Sequence, residues 1–322
     1  MNSRLKMALD AGAITLPEGR IAVFRPGAGE AWLPEGAEVV TGYFPDHAAW
    51  TARGYAVERE PSGDYVGAIV FVPRAKALAR DLLAQAIALG GPVLVDGAKT
   101  DGAESLWKAA RKQGEVSAAF SKSHGKVFAV TGGDFSEWRL PAVSRAAEGW
   151  KTAPGVFSAE GPDPGSVLLA EALPAQMKGR VADLGAGWGF LSAAVLEREG
   201  VEAVELIEAE WAALEAARAN LSDPRAQFTW GDAMVPLAEK VDHIVMNPPF
   251  HPSRTADPAM GASFIEAAAA SLKPSGRLWM VSNRHLPYEA ALAASFGEVA
   301  EIGGDTRFKL FAASRPARQG RR

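Results

Sequence analysis

Val181–Gly189 reads "VADLGAGWG": a short apolar run, an acid, and glycines at 185, 187 and 189. An apolar run bounded by glycine is a buried strand, and the glycines let the chain turn tightly where a helix begins. A ligand can then lie directly against backbone at that helix start. The spacing is G-x-G-x-G, whereas dinucleotide-binding folds favour G-x-G-x-x-G. Asp183 is poorly placed against a pyrophosphate and well placed against a ligand carrying an ammonium group.

Outward from this stretch, strands alternate with helices. Arg180–Leu184, Ala203–Glu208, Gln227–Trp230, Val241–Met246 and Arg277–Ser282 read as strands. Helices are read near Phe190–Glu199, Ala209–Leu221 and Ala262–Leu272, the last stopped by Lys273-Pro274-Ser275-Gly276. Glu298–Ile302 and Arg307–Ala312 make an antiparallel hairpin around Gly303-Gly304-Asp305-Thr306. Such alternation predicts a mostly parallel α/β sheet with loops at the carboxyl ends of its strands forming the site. Glu208 closes the second strand, where a carboxylate can accept two ribose hydroxyls. Asp232 follows the third, where a carboxylate and adjacent backbone can read an adenine edge. Asn247 follows the fourth. With Gly185, Gly187 and Gly189, these strand ends at one rim imply S-adenosylmethionine as the ligand of Asp183, Glu208, Asp232 and Asn247.

The fourth strand runs into "IVMNPPFHPS" (Ile244–Ser253). Pro248 and Pro249 end it abruptly, since proline lacks an N–H and restricts the residue before it. An asparagine, two rigid carbonyls and an aromatic face suit an exocyclic amine on a planar base. The Asn247 side-chain oxygen and the Pro248 carbonyl can accept its two N–H groups and orient its lone pair toward a methyl donor. Phe250 offers a stacking face for a single-stranded or flipped-out base. No strong base is required, and neither His251 nor His285 is given a role. Trp188 reads either as a cover over the cofactor or as a wall of the core.

The first 150 residues alternate more weakly. "VGAIVFVPRAKALARDLLAQAIALGGPVLVDGAKTDG" reads strand, helix, strand, with Val70–Lys76 in the place that "IVMNPPFHP" holds later. The Asn-Pro-Pro-Phe chemistry is missing there, and no glycine-rich loop is read upstream. Glu38–Ala48 reads as an early strand and turn. This predicts an internal duplication whose first copy, residues 1–150, has lost its site, with residues 151–322 active and Gly149–Pro154 as linker.

The chain has 322 residues, 48% hydrophobic and 22% charged, and its formal charge is −4. Those values suit a globular protein of two domains. With no cysteine and five scattered histidines, neither a disulfide framework nor a metal site is expected. The start is a poor signal peptide and no apolar run is long enough for a membrane span, so a cytoplasmic monomer is the expectation. Five Lys/Arg face two acids between Glu104 and Lys126; this is either a solvated face or an RNA-facing patch. The tail adds Arg315, Arg318, Arg321 and Arg322.

The second half resembles the bacterial ribosomal RNA small-subunit guanine-N2 methyltransferases. The resemblance is carried by "PGVFS" (Pro154–Ser158), "DPGSVLL" (Asp163–Leu169), "VADLGAGWG", "NPPFH" (Asn247–His251), "LPY" (Leu286–Tyr288) and "TRFKLF" (Thr306–Phe311). The first half resembles that family's degenerate domain more loosely, through "VFVPRAK" and "VLVDGAKTDGAESL". The resemblance implies two tandem Rossmann-like class I folds, the second with a seven-stranded sheet and an antiparallel C-terminal hairpin. It also implies methylation of guanine N2 in 16S ribosomal RNA or the small-subunit particle, with the first domain in RNA binding and support. N6-adenine methylation of nucleic acid and N5-glutamine methylation of protein stay open from the tetrapeptide alone. So does an RNA-binding assembly factor with a relic cofactor pocket.

Overall fold

The strand that leads into the glycine loop, Gln176–Leu184, is third in the order of a seven-stranded sheet. The computed structural model describes residues 3–249 and 258–317, and the chain divides between Ala142 and Val143 into two units. In the second unit the strands lie in the order Ala226–Trp230, Glu199–Glu208, Gln176–Leu184, Val241–Met246, Leu272–Asn283, Phe308–Pro316, Phe296–Gly304. The first five are parallel, and Phe308–Pro316 runs antiparallel to both its neighbours. Chain order reverses beside Gln176–Leu184, which opens a crevice beyond the carboxyl ends of the central strands.

Both faces of this sheet are covered, as the alternation along the strands requires. Ala182, Leu184, Ile244, Met246, Leu278 and Met280 pack into one core layer. Val181, Val245, Val204, Leu206 and Val281 pack into the other. Burying side chains of this size contributes about 1.5–3 kcal/mol each. Lys273–Gly276, read as a break, instead lies within Leu272–Asn283, where the pairing shifts register between Val241 and His243. The expected linker is also part of this unit: Lys151–Thr152 pairs with Ser144–Arg145. Lys151 donates its N–H to Asn220 Oδ1 at 2.9 Å and accepts from Asn220 Nδ2 at 2.8 Å. That asparagine is the last residue of the helix Trp211–Asn220, so the segment is tied down by backbone pairing rather than left free.

The first unit repeats the arrangement: Ala56–Glu58, Ala37–Val40, Ile21–Phe24, Gly67–Phe71, Val93–Ala98, Gly125–Gly133, Gly114–Val116. Gly125–Gly133 is antiparallel to Val93–Ala98, and an eighth short strand, Phe120–Lys122, pairs with it. The third strand in this order, Ile21–Phe24, escaped the sequence reading because it is four residues long and lies between charged and proline-rich segments. Gly27 and Gly29 follow it. Neither glycine takes a positive φ, so this is not the turn of the second unit. Beside this segment Trp50 is fully buried and donates its indole N–H to the Pro26 carbonyl at 2.8 Å.

Trp50 therefore carries both packing and a backbone partner. Trp50→Ala is expected to cost the first unit about 3–5 kcal/mol. Hydrogen exchange under urea reads this as earlier opening of residues 21–24, with exchange in the strand 241–246 unchanged. Equal loss in both sheets would show that Trp50 does not act locally.

Candidate active site

The glycine loop is stitched to the tip of the neighbouring strand. Gly185 and Ala186 both donate their N–H groups to the Ile207 carbonyl, at 2.9 and 3.0 Å. Gly187 donates to Glu208 Oε2 at 2.7 Å, while Glu208 Oε1 accepts from the Glu210 N–H at 2.7 Å. This folding back requires positive φ at Gly185, Gly187 and Gly189, at 74°, 57° and 91°. A Cβ on Gly187 would meet nothing within 4 Å, whereas one on Gly189 would press on Leu221 and Ala217. Gly187 thus faces open space and Gly189 faces the helix behind.

Register brings the other strand ends alongside. Asp183 lies opposite Val245 on one side and Leu206 on the other. Asn247 follows two residues past Val245 and lines the same cavity as Gly185. One cavity is walled by the loop residues Gly185, Ala186 and Gly187, by Phe157 and Asp163, and by Ser166 and Asn247. Trp188 also touches this cavity but is 4% exposed. It packs against Trp150 and Phe190 with centroids 5.1 and 5.9 Å away, and its indole N–H donates to the Phe157 carbonyl. Of its two readings, the wall of the core is the stronger. Phe157 is 60% exposed at the cavity, an open aromatic face suited to a planar ring.

Asn247 is held from behind. Its Nδ2 donates to Asp163 Oδ2 and to Ser166 Oγ, both at 2.9 Å, while its Oδ1 is buried without a partner among the described residues. A buried acceptor left empty is costly, so this oxygen is a natural seat for an incoming N–H. Pro248 and Pro249 follow directly; Phe250 and His251 lie outside the described residues. Asp163 and Ser166 were missed as functional residues by the sequence reading. They sit in "DPGSVLL", more than eighty positions from Asn247, and the only local signal was the Asp-Pro helix start.

Asp183 is 1% exposed and does not wall the cavity. It sits under the helix Phe190–Leu196, accepting the Ser192 hydroxyl on Oδ2, with Oδ1 unpartnered among the described residues. Burial pushes its carboxyl up to about 7; the Ser192 hydrogen bond opposes this and the Glu208 carboxylate adds to it. Burial also raises Glu208, against the backbone N–H groups of Glu210 and Gly187 that hold its charged form. Asp232, beyond the third strand, accepts the Met234 N–H on Oδ1 at 2.9 Å. His243 is lowered by burial. Among the described residues no group of His, Asp and Glu is arranged to hold a metal ion, and no helix is long and apolar enough to cross a membrane.

A 3-2-1-4-5-7-6 sheet with a glycine loop at its switch point and a strand-end asparagine beside it defines a class I methyltransferase. Residues 149–312 match the family model described as the methyltransferase small domain. The chain is 30% identical over 275 residues to the ribosomal RNA small subunit methyltransferase C of Shewanella sp., covering 80% of each chain. It is 32% identical over 225 residues to the ribosomal RNA large subunit methyltransferase G of Alcanivorax borkumensis, over 66% of this chain and 53% of that protein. Among solved structures it is similar to the T. thermophilus 16S rRNA guanine-N2 methyltransferase in complex with AdoMet and guanosine. There the TM-score is 0.78 and the identity 27%, with 94% of this chain and 90% of that chain covered. The chain belongs to the methyltransferase small-domain family, in the branch of the ribosomal RNA small subunit methyltransferases C.

Asp183 fixes a pH dependence. Its folded carboxyl titrates above its unfolded value, so its burial costs nothing below about pH 4 and destabilises the fold progressively up to about pH 7. Asp183→Asn is expected to raise the stability of the ligand-free protein at pH 8 by on the order of a few kcal/mol. Urea midpoints measured from pH 5 to 8 should then flatten relative to wild type. An unchanged slope would show that the carboxyl ionises freely.

Proposed function

We propose that the chain transfers the methyl group of S-adenosylmethionine to the exocyclic N2 amine of a guanine in small-subunit ribosomal RNA. The observation that carries this reading is the buried, unpartnered Asn247 Oδ1 in the same cavity as Gly185 and Gly187. The residues present fit the cofactor. Gly187 leaves the space a ligand needs, and the Glu208 carboxylate, already fixed by two N–H groups, keeps lone pairs for ribose hydroxyls. Asp232 stands at the next strand end for the adenine. Asp183 acts from beneath the loop, placing negative potential under the amino-acid end. When bound, the cofactor supplies a methyl group on a cationic sulfur.

The chain's own part is to aim a poor nucleophile. The guanine amine has its lone pair delocalised into the ring. Accepting one N–H on Asn247 Oδ1 and the other on the Pro248 carbonyl turns that lone pair toward the methyl carbon. The N–C bond forms as the C–S bond breaks. The nitrogen then loses one proton to water, which leaves a neutral methylamine and a neutral thioether. Phe157 and Phe250 supply aromatic faces for the splayed base. The likeness to a ribosomal RNA large subunit methyltransferase makes large-subunit ribosomal RNA the second substrate to be tested.

The first unit supplies RNA contacts. Lys99, Lys108, Lys122 and Lys126 line a cleft of about 510 Å³ with His124; Glu104 takes two of these, Lys108 and Lys126, at 3.1 Å each. In the second unit Arg284, His285 and Arg307 line another, of about 500 Å³, at the rim that carries Asn283.

Asn247→Ala is expected to leave calorimetric affinity for S-adenosylmethionine near wild type and to slow single-turnover methylation by on the order of 10²–10³. Nucleoside analysis of particles from a strain lacking the gene should find the label on guanine N2. Turnover at the wild-type rate, or label on adenine or glutamine, rejects the reading. Separately, Lys99→Glu with Lys122→Glu should weaken RNA binding and lower its salt slope by about one per lysine removed. An unchanged slope would make that cleft a solvated surface.

A further inference from the structure

We infer that Asp163 and Ser166 are positioning residues for methyl transfer, locking the Asn247 amide with its NH2 group turned inward and its oxygen kept for the substrate. The inference rests on the function proposed above and names what makes that asparagine competent.

An asparagine amide is nearly symmetric in shape, and its two ends have opposite hydrogen-bonding character. Turned by 180°, Asn247 would offer donors to a substrate amine that has only donors to give. Sequence alone leaves both orientations open. The structure removes one. Asp163 Oδ2 lies 2.9 Å from Asn247 Nδ2, and a carboxylate accepts only. Flipping the amide would set oxygen lone pairs against a negative charge. Ser166 Oγ takes the second N–H, also at 2.9 Å, so the NH2 group is spent on the protein.

Asp163 is itself fixed. It caps the helix Pro164–Ala172, its Oδ2 accepting the Ser166 N–H at 2.9 Å. The Pro164 ring at the first helical position sets the backbone for that start. Gly165 then allows Phe308 to lie against it: a Cβ there would fall 2.9 Å from the ring. The carboxylate, the hydroxyl and the helix end thus form one rigid bracket. The cost of the bracket is the unpaired Asn247 Oδ1, and an amine N–H relieves it. Orientation is settled before the base arrives, which is what preorganisation means at this atom.

The test exchanges the two ends of the hydrogen bond. Asp163→Asn keeps a good N-cap, so thermal midpoint and S-adenosylmethionine affinity should hold. One atom, Oδ2, holds both the Ser166 N–H and the Asn247 NH2, so the amide of this variant keeps its oxygen toward Asn247. Loss of the charge weakens that hydrogen bond, and single-turnover methylation of small-subunit particles should fall up to about tenfold. Asn247→Asp alone sets two carboxylates together and should lose about 10²-fold or more. In the double variant Asp163→Asn/Asn247→Asp, the new amide can turn its NH2 to the new carboxylate, giving up the Ser166 N–H cap at a cost in thermal midpoint, and it leaves one carboxylate oxygen for the substrate. Its rate should recover at least tenfold over Asn247→Asp. Losses that simply multiply would overturn the inference. A readout without activity comes from the Asn247 side-chain NH2 resonances, identified by their loss in Asn247→Ala. They should be protected from exchange in wild type, and should lose protection in Ser166→Ala at unchanged thermal midpoint. Unprotected wild-type resonances would also overturn the bracket. If wild type methylates no guanine, the proposed function fails while these resonances still report on the bracket.

Discussion

Three consecutive amides of the glycine loop end on two adjacent residues of the next strand, Ile207 and Glu208. Everything at the site follows from that stitching. It forces the left-handed backbone that only glycine adopts without strain. It spends the Glu208 carboxylate on the loop before any ligand arrives. It also keeps the loop at the level of Asn247, because parallel pairing of Gln176–Leu184 with both neighbours is in register to within two residues of the rim. Had the loop folded forward over the rim, the asparagine and the cofactor cradle would not share a cavity.

Beneath the loop the molecule carries an electrostatic burden. The Glu208 carboxylate disfavours the charge on Asp183, which is sealed from water. A fold selected for stability alone would place an apolar residue there, since a buried carboxylate with one hydrogen bond costs more than it returns. A cation at the amino-acid end of a ligand would lower both carboxyls and repay part of that cost. The ligand-free site is thus tensioned in the sense of charge, while its backbone is relaxed around glycine.

Much of the second unit was legible because its signals are local. The strand Val241–Met246 has the same bounds in sequence and structure, since Pro248 and Pro249 leave no freedom about where it stops. That Glu208, Asp232 and Asn247 stand at or just past the ends of their strands could be read from the sequence; of the three, Asn247 lines the cavity. Asp183 could not be placed. Its residue type suggested a ligand contact, yet it shares a pleat face with Val181 and so lies under the helix carrying Ser192. Parity along a strand is countable, but which face a helix will cover is a tertiary fact. The bracket of Asp163 and Ser166 was hidden for the same reason, as was Ile21–Phe24, whose four residues gain their strand character from pairing on both sides.

The sheet order also sets a timetable. Phe308–Pro316 is the last strand of the second unit to be synthesised, yet it lies between Leu272–Asn283 and Phe296–Gly304. Until it has emerged, the edge of Leu272–Asn283 is bare and Gly165 has no Phe308 against it. The first unit, whose strands are complete by residue 133, can fold while the ribosome is still making the second. The second must wait, exposing a long unpaired strand edge that invites misassociation in the interval. The helix that carries Asp163 and Ser166 therefore gains its Phe308 neighbour only with the last strand to be made.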